Sequence, residues 1–332
     1  MQKIYENFDG PYYLIVAKTW YNQSLIKENF SFSLPVEYYA AHFPGFPALT
    51  DLVAMFGINH AQAMVTVNLV ASVGMGLIIL KLAQELNLKY PEWIAGASLF
   101  FWPRMWAARS IGSPEALFIF FTVLSLLGFL KKKYWWAGLA GAGAVLTKSP
   151  GILLFAAYAI WAIGEYLKSK KIKIEIWPVV IMPIALMCVF GLYKFQTGNF
   201  WAYFNSGDNI HLQILPFKVF DSSQAWVGNW WLEDVLWIYL VAGIGVISSF
   251  RKNRVLGYFG AVFYAAILFV SHRDISRYAL PLVPVVLIGL GEVWERKEVR
   301  IFAILMLIPM YFYTTNFLNN NLVSIANWLP FL

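Results

Sequence analysis

The chain has 332 residues, of which 60% are hydrophobic and only 13% charged, with a net charge of +7 at neutral pH. A soluble globular domain carries about 25% charged residues, so this composition excludes an ordinary water-soluble enzyme or binding module. The basic residues fall in short bursts between apolar runs, which reads as membrane topology and not as a nucleic-acid surface.

Taken in chain order, the first nine residues, MQKIYENFD, are polar and contain no apolar core of a cleavable signal peptide. Asp9 then precedes Gly10-Pro11, a turn signal. Tyr13, Val16, Ala17 and Trp20 follow at helical spacing, which predicts a short amphipathic helix lying in the membrane interface. Residues 38–56 carry Pro44, Gly45 and Pro47, a rigid turn leading into an apolar segment too short to span, and so a second interfacial helix. Ten apolar runs come next, near 60–80, 92–109, 115–130, 134–147, 151–167, 177–194, 232–250, 255–270, 278–294 and 301–318. A hydrocarbon core of about 30 Å takes roughly 17–25 helical residues to cross. The expected fold is therefore an all-α polytopic membrane protein with about ten transmembrane helices, a single domain over 1–332. The fourth run is short, and Gly138, Gly141 and Gly143 predict close packing against a neighbour. Paired aromatics near span ends, such as Trp135-Trp136 and Trp230-Trp231, suit an interfacial belt. The single cysteine, Cys188, permits no intrachain disulfide.

Alternate connections divide by charge. One set holds 15 of the 25 lysines and arginines in short loops, at 81–89, 131–133, 168–173, 251–254 and 295–300. Short basic loops mark the cytoplasmic side. Residues 1–59, 110–114, 148–150, the long loop 195–231 and 271–277 are then expected on the non-cytoplasmic side. With ten spans this places both termini outside.

Few charges remain on that outward face. Asp9 suits the N-cap of its helix, and local sequence favours that role over a general base. His42 stands at the entrance to the second interfacial helix, where a satisfied hydrogen-bonding role competes with contact to a phosphate or hydroxyl. Glu115 follows Ser113-Pro114 in a first helical turn, where the dipole favours a negative charge. Lys148, in LTKSPG, occupies a tight outward turn that invites an anion. Asp208 lies in the long loop. The densest group is SHRDISRY, residues 271–278, with His272, Arg273, Asp274, Arg277 and Tyr278 at the mouth of a span. A helical turn would put Arg273 and Arg277 on one face, where guanidinium forks recognise phosphate oxygens. The bland alternative is an ion pair of Asp274 with Arg273 or Arg277. Zinc-type spacings, a Walker loop, a GxGxxG turn and a nucleophile elbow are all absent from the sequence. No cofactor is called for, and a divalent metal is not indicated.

The order FDGPYYLIVAKTWY, HFPGFPAL, GSPEALFIFFTVLSLLGFLKKKYWWAGLAGAGAVLTKSPG and SRYALPLVP resembles the GT-C class of integral-membrane glycosyltransferases. It looks closest to mannosyltransferases of the PIG-V (GPI mannosyltransferase 2) type and their prokaryotic relatives. The likeness covers most of 7–165 and a short C-terminal patch. The resemblance implies a polyprenyl-phosphate-linked sugar as donor, a glycolipid or protein acceptor, and inverting catalysis at the non-cytoplasmic face. It also implies that Asp9 is the catalytic acidic residue, reversing the local preference for a cap. Family members carry arginine where this chain has Lys148, and a span ahead of the acidic residue. In the expected reaction Asp9 deprotonates the acceptor, and Arg277, Arg273 and Lys148 stabilise the leaving phosphate. His42, Glu115, His272 and Tyr278 complete the substrate-binding set. The rivals are a transporter or flippase, which would show inverted repeats and midplane charges not seen here, and a degenerate non-catalytic relative.

Overall fold

The structure, a computed structural model, describes residues 2–7, 9–30, 34–207, 211–221, 223–224 and 226–332, with Asn229 and Trp230 described by their backbone alone. Asp208 lies outside the described residues. Among the described residues the chain is helical, with no strand and only two isolated β-bridges.

The N-terminal segment forms α1 (Gln2–Tyr5), α2 (Gly10–Thr19) and α3 (Gln23–Asn29), followed by a 3₁₀ turn at Val36–Ala41 and by α4 (Gly45–Ala54). Here one expectation fails. Helix α2 is not amphipathic: eight of its ten residues are buried within the protein. It is covered by α3, α4 and the next helix, and by the 3₁₀ turn Leu329–Phe331 of the C-terminal tail. Helix α4 does keep one exposed apolar side, Leu52 with Met55 just beyond it, and buries Phe46, Pro47 and Thr50 on the other.

All ten apolar stretches are helical. They form α5 (His60–Glu85), α6 (Pro91–Phe100), α7 (Pro103–Arg109), α8 (Glu115–Leu130), α9 (Tyr134–Thr147), α10 (Ile152–Ser169), α11 (Ile181–Thr197), α12 (Asn229–Lys252), α13 (Arg254–Leu268), α14 (Ile275–Tyr278), α15 (Val283–Gly289) and α16 (Lys297–Asn320). Among the described residues five segments are long and apolar enough to cross a membrane unaided: His60–Glu85, Ser149–Ser169, Ile174–Thr197, Trp231–Lys252 and Lys297–Asn320. The others are shorter or broken, and the breaks have causes. The run 92–109 divides at Trp102-Pro103, because proline lacks the N–H and disfavours helix at the residue before it. In the run 278–294, Pro281 and Pro284 stand near the starts of two short pieces, the 3₁₀ turn Leu280–Leu282 and α15, and a further 3₁₀ turn, Gly291–Glu295, follows. The 16 residues of α8 rise only about 24 Å. Helix starts are set by side-chain caps at Asn59, which accepts from Gln62 N (2.8 Å), and at Asn253, which accepts from Val255 N (2.8 Å).

Helices α5, α8, α9 and α11 pack in succession, and α12, α13 and α15 form a second group joined to the first through α10. The glycines of α9 do bring it close to its neighbours: a Cβ on Gly138 would strike the Pro178 backbone, and one on Gly143 the Phe121 ring. The basic connections meet one another at one end of the bundle, where Lys131 pairs with Glu85 (2.6 Å), Lys89 with Glu295 (2.7 Å) and Lys252 with Glu292 (2.7 Å).

At the opposite end two backbone crossings matter. Gly10 and Gly112 touch, so that a Cβ on Gly112 would stand 2.9 Å from the Gly10 Cα. That contact brings the turn after Asp9 against the turn before Glu115. Gly45 likewise lies on the last turn of α9, where a Cβ would be 2.7 Å from the Leu146 carbonyl carbon. The loop carrying His42 is thereby held near Lys148. The long loop also reaches this end: Gln213 N donates to Phe269 O (2.8 Å) and Ser271 N to His211 O (2.9 Å). The C-terminal tail closes over the N-terminal segment, with Val323 N donating to Glu6 O (2.8 Å) and Trp328 Nε1 to Glu6 Oε1 (3.3 Å).

Candidate active site

Four charged side chains from four distant stretches converge there. Glu115, the first residue of α8, is 1% exposed. Its Oε1 accepts from Arg277 Nε (2.6 Å) and from Lys148 Nζ (2.8 Å), and its Oε2 accepts from Ser113 Oγ. Arg277, in the single turn α14, donates from Nη1 to Asp9 Oδ2 (3.0 Å). Lys148 sits in extended backbone between α9 and the next turn, which turns its ammonium back towards α8. The Tyr278 ring centroid lies 5.9 Å from that ammonium.

Asp9 stands at the N-cap position of α2, yet its side chain makes no capping bond. Its backbone carbonyl accepts from Tyr12 N and Tyr13 N (3.0 and 3.1 Å), and the carboxylate is given to Arg277 instead. The side chain keeps 27% of its exposure, so one face of the carboxylate is open to solvent.

His42 is buried beside this cluster, ringed by Tyr12, Tyr13 and Tyr38 with centroids 5.7, 4.7 and 5.5 Å away. Its Nδ1 has no hydrogen-bond partner among the described residues. Burial pulls the imidazole down to about 4; the Asp9 carboxylate opposes the shift and the Arg277 guanidinium adds to it. Burial followed by the Asp9 charge raises the Tyr12 hydroxyl.

The SHRDISRY cluster separates into parts. Helix α14 begins only at Ile275, so Arg273 is not on one face with Arg277. Arg273 is exposed and contributes its carbonyl to Trp231 Nε1 (3.1 Å). His272 Nδ1 accepts from Asp274 N (3.0 Å), and its ring lies tilted against His211 of the long loop, with centroids 4.1 Å apart, and edge-to-face with Tyr278 at 5.3 Å. Burial, then His211, pulls His272 down to about 4. Asp274 pairs with neither arginine of its own segment. Its carboxylate accepts from Arg104 of α7.

Arg104, Ser113 and His211 were not singled out from the sequence. Arg104 had a readable signal, since an arginine inside an apolar run marks a functional candidate. His211 had none, because only the pairing of the long loop with residues 268–271 brings it near. Among the described residues no three His, Cys, Asp or Glu side chains gather as a metal-ligand set.

No family model and no curated protein matches the sequence. Solved structures do match the fold, two of ArnT among them. ArnT from Cupriavidus metallidurans in the apo state superposes with a TM-score of 0.57 at 15% identity, over 87% of this chain and 56% of ArnT. The same protein bound to undecaprenyl phosphate gives 0.56 at 14%, over 84% and 54%. The fold is of the GT-C type. This chain spans little more than half the length of ArnT. In that fold Asp9, Glu115, Lys148 and Arg277 form one polar cluster at the end of the bundle opposite the basic loops.

Proposed function

We propose that the chain is a membrane glycosyltransferase. It moves a sugar from a polyprenyl-phosphate donor to an acceptor hydroxyl at the non-cytoplasmic face, and the PIG-V resemblance points to mannose and to a glycolipid or protein acceptor. The observation that carries this reading is the Asp9–Arg277–Glu115–Lys148 cluster, within a fold shared with a protein crystallised bound to undecaprenyl phosphate. The position of the basic loops at the other end of the bundle supports the outward orientation.

In this reaction the acceptor oxygen attacks the anomeric carbon from the side opposite the phosphate. A new C–O glycosidic bond forms as the bond between that carbon and the phosphate oxygen breaks, and its electron pair leaves with the phosphate. The acceptor proton passes to the Asp9 carboxylate. Arg277 is held by Glu115 through Nε, and its Nη1 bond to the quarter-exposed Asp9 is the exchangeable one. An arriving phosphate takes up that N–H, and Asp9 is released to act as base. Lys148 adds positive charge as the phosphate leaves. His42, buried and neutral beside Asp9, and Tyr278, beside Lys148, border the substrate space.

The test is transfer of radiolabelled mannose from polyprenyl-phosphate-mannose in membranes containing the chain. Asp9→Asn is expected to lower transfer by about 10²–10⁴-fold, the range of a general base, with expression unchanged. Arg277→Ala is expected to abolish it. Fixed cations supply the charge compensation in this scheme, so transfer is expected to persist in EDTA. Near-normal transfer by Asp9→Asn overturns the base assignment.

A further inference from the structure

Arg104 takes no part in the reaction above, yet it touches the segment that carries Arg277. Asp274 immediately precedes α14, and its carbonyl accepts from Arg277 N (2.9 Å). Residues three apart on one helical turn are natural ion-pair partners, and an Asp274–Arg277 pair is one of the two that the local sequence offers, the other being with the exposed Arg273. The fold forms a different pair. The Asp274 carboxylate, 8% exposed, is taken by Arg104, 12% exposed, which reaches it from α7. The Arg104 guanidinium also lies 4.1 Å from the centroid of the Phe317 ring of α16, which limits its freedom to turn away. Arg104 and Arg277 line the same cavity, of about 10 Å³, together with Ser113 and Phe317. Two guanidinium groups therefore stand close to one buried carboxylate, and only one of them is bonded to it.

We propose that Arg104 is a positioning residue that sequesters Asp274. By occupying this carboxylate it keeps Asp274 from drawing Arg277 away from Glu115 and Asp9, where the donor phosphate is met. A buried carboxylate without a partner seeks the nearest cation. Once Arg104 is removed, the buried cation on hand is Arg277, one turn away, whereas Arg273 is exposed to solvent.

This differs from a clamp that merely fixes α14. For a clamp, losing either partner is the same lesion, and losing both is no better. For sequestration the two losses have unlike effects. Arg104→Ala releases a competitor for Arg277, whereas Asp274→Asn removes it. The double variant is then better than Arg104→Ala alone.

The ligand-free test is a double-mutant cycle between Asp9→Asn and Arg277→Gln, read on the unfolding midpoint of the full chain in mixed micelles. It is run in the wild-type, Arg104→Ala and Arg104→Ala/Asp274→Asn backgrounds. The expected result is coupling in the wild type, its loss in Arg104→Ala and its return in the double background. Should Arg104→Ala fail to fold while the double variant folds, that rescue supports sequestration. Coupling untouched by Arg104→Ala, coupling not restored in the double background, or both backgrounds failing to fold overturns it.

A second arm rests on the proposed function and uses mannose transfer. Arg104→Ala is expected to raise KM for polyprenyl-phosphate-mannose about tenfold or more, Asp274→Asn to change it by less than about threefold, and the double variant to return close to Asp274→Asn. A double variant as impaired as Arg104→Ala overturns the inference and makes Arg104 a direct donor contact or a clamp. A wild type that binds no donor and transfers no sugar overturns the proposed function, and the ligand-free cycle still decides the role of Arg104.

Discussion

Helix α8 has an ion-pair network at each of its ends, and the two have similar bond lengths. At one end Glu115 accepts from Arg277 and Lys148 at 2.6 and 2.8 Å; at the other Lys131, just past the helix, donates to Glu85 at 2.6 Å. Distance does not separate them, but burial does. Glu115 is 1% exposed and Arg277 13%, whereas Lys131 is 35% exposed and Lys89, in the neighbouring pair, 70%. An exposed pair contributes about 0–1 kcal/mol. A buried one carries a desolvation penalty of several kcal/mol per ion, and apolar residues of the same volume often serve stability as well or better. Stability alone therefore does not account for the network at the Glu115 end, which suits the role proposed for it, whereas that at the Lys131 end fits topology and solubility.

The comparison can be broken first at Glu115. Glu115→Ala leaves Arg277 and Lys148 buried without their shared carboxylate and is expected to cost about 3–5 kcal/mol, seen as a lowered unfolding midpoint in mixed micelles. A loss below about 1 kcal/mol would mean that the cluster is as solvated as the Lys131 end. A smaller effect is expected from pH. In the fold His42 is held down at about 4 against an ordinary 6.5, so the unfolded chain binds the proton more readily. The stability this neutral imidazole contributes is fully present above about pH 6.5 and is lost as the pH falls towards and through about 4, by on the order of 3 kcal/mol at most. Unfolding midpoints of the wild type and His42→Gln should therefore draw together as the pH is lowered across that window. Parallel curves would show that His42 is solvated. Smallest of all, Lys131→Ala is expected to move the midpoint by less than about 1 kcal/mol. Its effect should shrink further in high salt, and a loss comparable to that of Glu115→Ala would erase the distinction between the two ends.

Much of this difference was legible in the sequence, because charge is rare enough in the chain for each burst to mean something. The lysine-rich loops could be sorted to one side by counting. Asp9, His42, Glu115, Lys148 and the 271–278 cluster could be sorted to the other. Their roles within the cluster were not legible. A helical reading of SHRDISRY put Arg273 beside Arg277, but the helix starts two residues after Arg273 and leaves it exposed. Asp9 read locally as a cap because caps depend on neighbours in sequence. Its actual partner is 268 residues away. Helix α2 read as amphipathic and interfacial, and the C-terminal tail that helps to cover it is more than 300 residues further on.

Sequence alone determined what depends on composition and local pattern: an all-α membrane chain, the places of its ten apolar stretches, and the two polar ends. The physical reason is that partitioning into a bilayer acts on each segment almost independently. Only the tertiary structure decided which opposite charges meet. A buried ion must find a partner wherever the backbone brings one within reach. Here that reach was set by the Gly10–Gly112 contact, by Gly45 against the end of α9, and by Arg104 arriving from α7 to claim Asp274.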